Sequence, residues 1–170
     1  DSLVAFWKLT PCHIYIYIFL FSLSVGSVYI LNQIADIEVD KKNGGLPLLA
    51  SGIITKKTAW LSALILAALS VIIPLFFGKP LLSILSVSAI VLGLVYSFKP
   101  FSFSGRPFLD FLSNAAGYGL IAFIAGWYLS DTKEIIPVTT MLRKSIPYIL
   151  MMCAGSIGST LPDREGDLLE

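Results

Sequence analysis

Charge is absent from five stretches of the chain, residues 12–31, 58–77, 81–98, 111–129 and 145–162, and each is dense in Leu, Ile, Val, Ala or Phe. A helix needs about 20 apolar residues to cross the roughly 30 Å hydrocarbon core of a bilayer, so each stretch spans it or nearly does. The apolar residues run on without the two-residue alternation of a barrel strand, so the segments read as helices. An all-α, polytopic transmembrane bundle of five spans is expected, forming one domain over residues 1–170. Small residues within the spans, such as Ala63, Ala67, Ala68, Ser86, Ser88, Gly117 and Gly119, would let neighbouring helices approach closely.

The connections order these spans. Gly78-Lys79-Pro80 is a minimal turn, because Gly relaxes the backbone and Pro cannot continue a helix, so the second and third spans form a hairpin. Residues 41–57, residues 99–106 and the tail from Asp163 then share one membrane face. The N-terminus, Lys79 and residues 131–144 share the other. Seven basic residues on the first face (Lys41, Lys42, Lys56, Lys57, Lys99, Arg106, Arg164) against five on the second (Lys8, Lys79, Lys133, Arg143, Lys144) make the first cytoplasmic by the positive-inside rule. Trp7, Trp60 and Trp127 read as interfacial anchors, and Cys12 and His13, at the far end of the first span, as structural. No basic, short apolar and small-residue sequence opens the chain, so no signal peptide is expected. The chain begins at Asp1 rather than Met and stops at Glu170 beside a cluster of acids, as a fragment of a longer protein would.

Composition agrees and removes other classes. With 56% hydrophobic residues, 14% charged residues and a mean hydropathy of +0.83, the chain is too apolar for a soluble or disordered domain. A net charge of +1 offers no electrostatic footprint for nucleic acid. Two cysteines and one histidine are too few for a disulfide scaffold or a Cys/His metal centre, so any metal must be held by oxygen.

The acids carry the candidate chemistry. Asn32, Asp36 and Asp40 are four residues apart where the first span emerges, and on a continuing helix they drift about 40° per step and form one polar stripe about 12 Å long. The last span ends on the same device: Ser159, Asp163 and Asp167 repeat the spacing, and residues 36–40 and 163–167 share the pattern D-x-E-x-D. Both stripes are expected on one membrane face, where four aspartates would repel unless cations sat between them. Hard divalent ions suit such carboxylates, and Mg²⁺ leaves positions for water and substrate phosphate, so the pattern fits a diphosphate clamped between two acidic stripes. One stripe alone is an ordinary solvated helix end; two with the same spacing form a candidate site. Glu38 and Glu165 lie about 200° from the neighbouring aspartates and are assigned no direct role.

These residues resemble a known family. The run from Asn32 to Asp40, followed by Lys42-Asn43 and Pro47-Leu48-Leu49-Ala50-Ser51-Gly52, resembles the first signature of the UbiA superfamily of intramembrane prenyltransferases. Pro162-Asp163-Arg164-Glu165-Gly166-Asp167 resembles its second signature. Tyr96-Ser97-Phe98-Lys99-Pro100, with Asp110 and Asn114 beyond, is similar to the family's Y-S-x-x-P loop and the helix after it. Members are bundles of about nine transmembrane helices, so the chain resembles the second to the sixth, incomplete at both ends.

The resemblance implies Mg²⁺-dependent transfer of a prenyl group from an isoprenyl diphosphate to a lipophilic acceptor within the membrane: an aromatic quinone precursor, a chlorin, a carotenoid or a glycerol ether. By motif match, Asp36, Asp40, Asp163 and Asp167 are the catalytic, metal-binding residues and Asn32 a diphosphate ligand. Lys99 and Arg106 are weaker candidates for the diphosphate, with a lipid-headgroup or positive-inside role the equal alternative, and Tyr96, Tyr29 and Tyr118 are candidates to line the path of the allylic cation, with an interfacial or core position the commoner reading of a tyrosine. Leu46-Pro47 stands where many members carry Arg before the proline, a form shared with the homogentisate-type branch. The P-D-x-E-G-D form of the second motif is similar to the homogentisate, chlorophyll and carotenoid-modifying branches.

The alternative class is a transporter or channel with an acidic cytoplasmic mouth, but such proteins more often bury ionisable residues at mid-membrane, and the five spans have none. A CDP-alcohol phosphotransferase would concentrate its aspartates in one D-G-x-x-A-R type run, which is absent. A fragment with vestigial acids is the third alternative.

Overall fold

The computed structural model describes residues 12–42, 48–104, 106, 108–130 and 137–167, and of residues 12, 13, 42 and 158–167 the backbone alone. All regular structure among them is helical. Helix α1 (Cys12–Ala35) bends at Asp36 and leads into the short α2 (Ile37–Lys42). Helices α3 (Lys56–Phe76) and α4 (Pro80–Ser97) form the expected hairpin. The next span, Leu109–Leu129, is composite: α5 (Leu109–Asn114), a π-helical segment (Ala115–Ile121) and α6 (Ala122–Leu129). Helix α7 (Val138–Asp167) is 30 residues long.

Local chemistry sets these boundaries. Thr55 caps α3 by accepting a hydrogen bond from the Thr58 amide at 3.2 Å, satisfying a donor that the first turn leaves free. After Phe76 the chain reverses through Gly78 at φ +68°, a conformation open to glycine at no steric cost, and Pro80 opens α4 at a position where no amide is needed. The Lys79 ammonium, at the hairpin tip, lies 5.4 Å from the Tyr17 ring centroid and 5.8 Å from that of Tyr128, tying the hairpin to α1 and α6 on the face away from Asp36.

Four helices, Ile14–Ala35, Lys56–Phe76, Pro80–Ser97 and Leu109–Leu129, are long and apolar enough to cross a membrane among the described residues. The fifth expected span lies inside α7, flanked there by Arg143-Lys144 and the second acidic motif. Outward-facing apolar side chains are plentiful, Phe76 at 85% exposure and Phe19 at 61% among them, the surface a lipid solvent requires.

Packing uses small polar residues where helices touch. The Ser27 hydroxyl, fully buried, donates to the Ala63 carbonyl across α1 and α3 at 2.9 Å, and the Ser83 hydroxyl donates to the Val71 carbonyl across the hairpin at 2.7 Å. Of the small residues singled out above, Ala63, Ser86 and Gly119 are buried, whereas Ala68 is exposed. Gly119 is a close approach: a Cβ there would sit 2.8 Å from the Ile149 Cα, so only glycine lets α7 reach the π-helical segment. Toward the hairpin-tip face, Phe21, Leu82, Leu85, Ala125 and Leu129 form a buried apolar cluster.

Candidate functional site

Chain direction alternates, so the ends of α1, α4 and α7 and the starts of α3 and α5 gather at one face. Cross-helix hydrogen bonds agree with this. The Asn32 amide donates to the Ser97 hydroxyl at 3.4 Å, joining α1 to α4. The Asn114 amide donates both to the Asp110 carboxylate and to the Ser156 hydroxyl, each at 2.9 Å, joining the fourth span to α7. The Tyr96 hydroxyl donates to the same Asp110 oxygen at 3.0 Å, so one carboxylate accepts two charge-assisted bonds, one that ties α4 to α5 and one within α5.

The first stripe keeps its register through the bend. The Asp36 amide bonds the Asn32 carbonyl at 3.0 Å and the Asp40 amide bonds the Asp36 carbonyl at 2.8 Å, so helical spacing runs unbroken from Asn32 to Asp40. Burial pushes the Asp36 carboxyl above the usual range, the Asp40 carboxylate adds to the shift, and a hydrogen bond from Asn32 opposes it. One Asp40 oxygen, Oδ2, is buried and has no hydrogen-bond partner among the described residues. A crowded carboxylate beside an orphaned buried carboxylate oxygen is the environment a cation relieves, so these residues fit Mg²⁺. Among the described residues no group of three or more Asp, Glu, His or Cys is placed to hold a metal ion.

Asp163 and Asp167 lie on the helical backbone of α7, and their side chains fall outside the described residues. Position 163 is seven residues, two turns, beyond Ser156 and therefore on the same helix face. Lys99 and Arg106 are exposed in the α4–α5 connection at the same end of the bundle. Gly44, Gly45, Leu46 and Pro47, and Trp7, lie outside the described residues.

Beneath the stripe opens a cavity of about 180 Å³ between α1, α4 and the fourth span. Asn32, Tyr96, Ser113 and Asn114 line its polar end, Tyr29 and Tyr118 its flanks, and Val25, Val28 and Phe21 its apolar depth. All three tyrosines singled out in the sequence therefore face it. Asp110, Ser97 and Ser156 had no place among the candidate ligands; Ser97 and Asp110 stood out in the sequence only as parts of the Y-S-x-x-P-like loop and the helix after it, and Ser156 carried no signal. An apolar slot with hydrogen-bonding groups at one end, leading to two carboxylates, accepts an amphiphile with a charged head and a hydrocarbon tail.

The sequence profile of the UbiA prenyltransferase family matches residues 4–170. A relative described as probable homogentisate phytyltransferase 2, chloroplastic, from Oryza sativa subsp. japonica is 30% identical over 155 residues, covering 87% of this chain. The chain spans 40% of that relative's length. No solved structure matches it.

Proposed function

Because the chain belongs to the UbiA prenyltransferase family, we propose that it contributes the diphosphate-binding stripes and part of the tail cavity of an enzyme that transfers a prenyl group to a lipophilic aromatic acceptor within the membrane. The observation that carries this reading is the continuity of the Asn32–Asp36–Asp40 stripe with the polar end of the apolar cavity. An isoprenyl diphosphate has the same division, a polyanionic head on a hydrocarbon tail. The aromatic acceptor rests on the rice relative, which is named for homogentisate.

In this reading Asp36, Asp40, Asp163 and Asp167 are the residues that would hold Mg²⁺. Mg²⁺, when bound, neutralises diphosphate charge in the ground state and as the leaving group departs. The register of α7 supports this assignment, since position 163 shares a helix face with Ser156, which is bonded to cavity-lining Asn114. Asn32 orients the head, and Lys99 and Arg106 stand at the same face to meet developing negative charge. The allylic C–O bond breaks with its electron pair leaving on diphosphate. The allylic cation that remains lies among the faces of Tyr29, Tyr96 and Tyr118, which line the cavity and stabilise positive charge. A ring carbon of the acceptor supplies the electrons of the new C–C bond, and the ring proton is released. The basic-residue bias makes the stripe-bearing face cytoplasmic.

Membranes containing the full-length protein, given labelled phytyl or geranylgeranyl diphosphate and homogentisate, should form prenylated product only with Mg²⁺ present. Asp36→Asn and Asp163→Asn should each lower turnover by roughly 100-fold or more. Near-normal turnover in either variant would overturn the assignment.

A further inference from the structure

We propose that Phe21 is the floor of the tail cavity and sets the length of prenyl donor the enzyme accepts, an inference that rests on the prenyltransferase reading above. Phe21 on α1, Ala89 on α4 and Ala122 on the fourth span are the lining residues nearest the hairpin-tip face. Two of these are alanines, so the bulk at that end of the cavity is the Phe21 ring. Below it lies the buried cluster of Leu82, Leu85, Ala125 and Leu129, which Phe21 itself completes at 9% exposure. The ring thus belongs to both surfaces, with open space on one side and packed core on the other.

Depth follows from helix geometry. Asn32 at the polar end and Phe21 at the floor are eleven residues apart on one helix, about 16 Å at the helical rise, or roughly half the hydrocarbon core. A short isoprenyl tail fits a slot of that depth, whereas a long polyprenyl tail far exceeds it and meets the Phe21 ring. The slot therefore selects against polyprenyl donors by steric exclusion at a packed wall.

Competition among geranyl, geranylgeranyl, phytyl and solanesyl diphosphates in the full-length protein tests the floor through the ratio of kcat/KM for long and short donors. Phe21→Ala should raise the solanesyl-to-geranylgeranyl ratio by about tenfold or more. Phe21→Leu, which keeps the core beneath largely filled, should move it the same way by less. Gly117→Ala should move it the opposite way: Gly117 lines the cavity at mid-depth, and a Cβ there meets its nearest neighbour, Leu92 Cδ2, at an ordinary 3.5 Å. Transfer with an unchanged length profile in Phe21→Leu and Gly117→Ala would overturn the floor while leaving the prenyltransferase reading intact. No transfer from any donor by the unsubstituted protein would overturn both.

Discussion

Asp36 shows the tension in the stripe at the scale of single residues. Its carboxyl is raised by burial first and by Asp40 second, so without a divalent cation the folded protein disfavours its ionised form. The sign follows from linkage: a carboxyl whose folded pKa lies above the unfolded value stabilises the fold below the ordinary pKa of 3.8, and that contribution is lost as pH rises through the raised value. Metal-free protein in detergent should therefore lose thermal stability as pH climbs above the ordinary carboxyl value, and Mg²⁺ should restore it. Asp36→Asn should flatten that pH dependence and abolish the Mg²⁺ effect. A melting profile indifferent to Mg²⁺ in the unsubstituted protein would contradict the cation-binding role of the stripe. The spacing of Asn32, Asp36 and Asp40 was legible in the sequence because a polar i, i+4 series after an apolar run has one geometric meaning on a helix. The orphaned Asp40 oxygen was not, since burial of one atom depends on neighbours distant along the chain.

Helices were legible to within a few residues because lipid imposes a single rule, that an apolar charge-free run satisfies its own backbone bonds. Span 58–77 became Lys56–Phe76 and span 81–98 became Pro80–Ser97, with the turn at Gly78-Lys79-Pro80 as expected. The π-helical segment within the fourth span was not legible, because one wider turn leaves the hydrophobic pattern almost unchanged. That segment carries Gly119, whose missing side chain admits the Ile149 backbone. Gly119→Ala should destabilise the bundle by roughly 1–3 kcal/mol, since backbone cannot yield as a side-chain tip can. Unfolding in a graded denaturing detergent checks this, and an unchanged midpoint would show that α7 packs elsewhere.

Across the whole molecule, a polar face, an apolar slot and a packed floor follow one another along the membrane normal. The face was predicted from chain alternation, and the bonds Asn32 to Ser97 and Asn114 to Ser156 join helices at that end. The slot and its floor depend on which apolar residues meet across helices, which a run of Leu, Ile and Phe does not encode. The central claim is that the two stripes act as one diphosphate site. Binding of geranylgeranyl thiodiphosphate, whose C–S bond resists ionisation, to the purified full-length protein tests it most directly. The account predicts binding that requires Mg²⁺ and is lost in both Asp36→Ala and Asp163→Ala; binding that survives either substitution, or needs no metal, would contradict it.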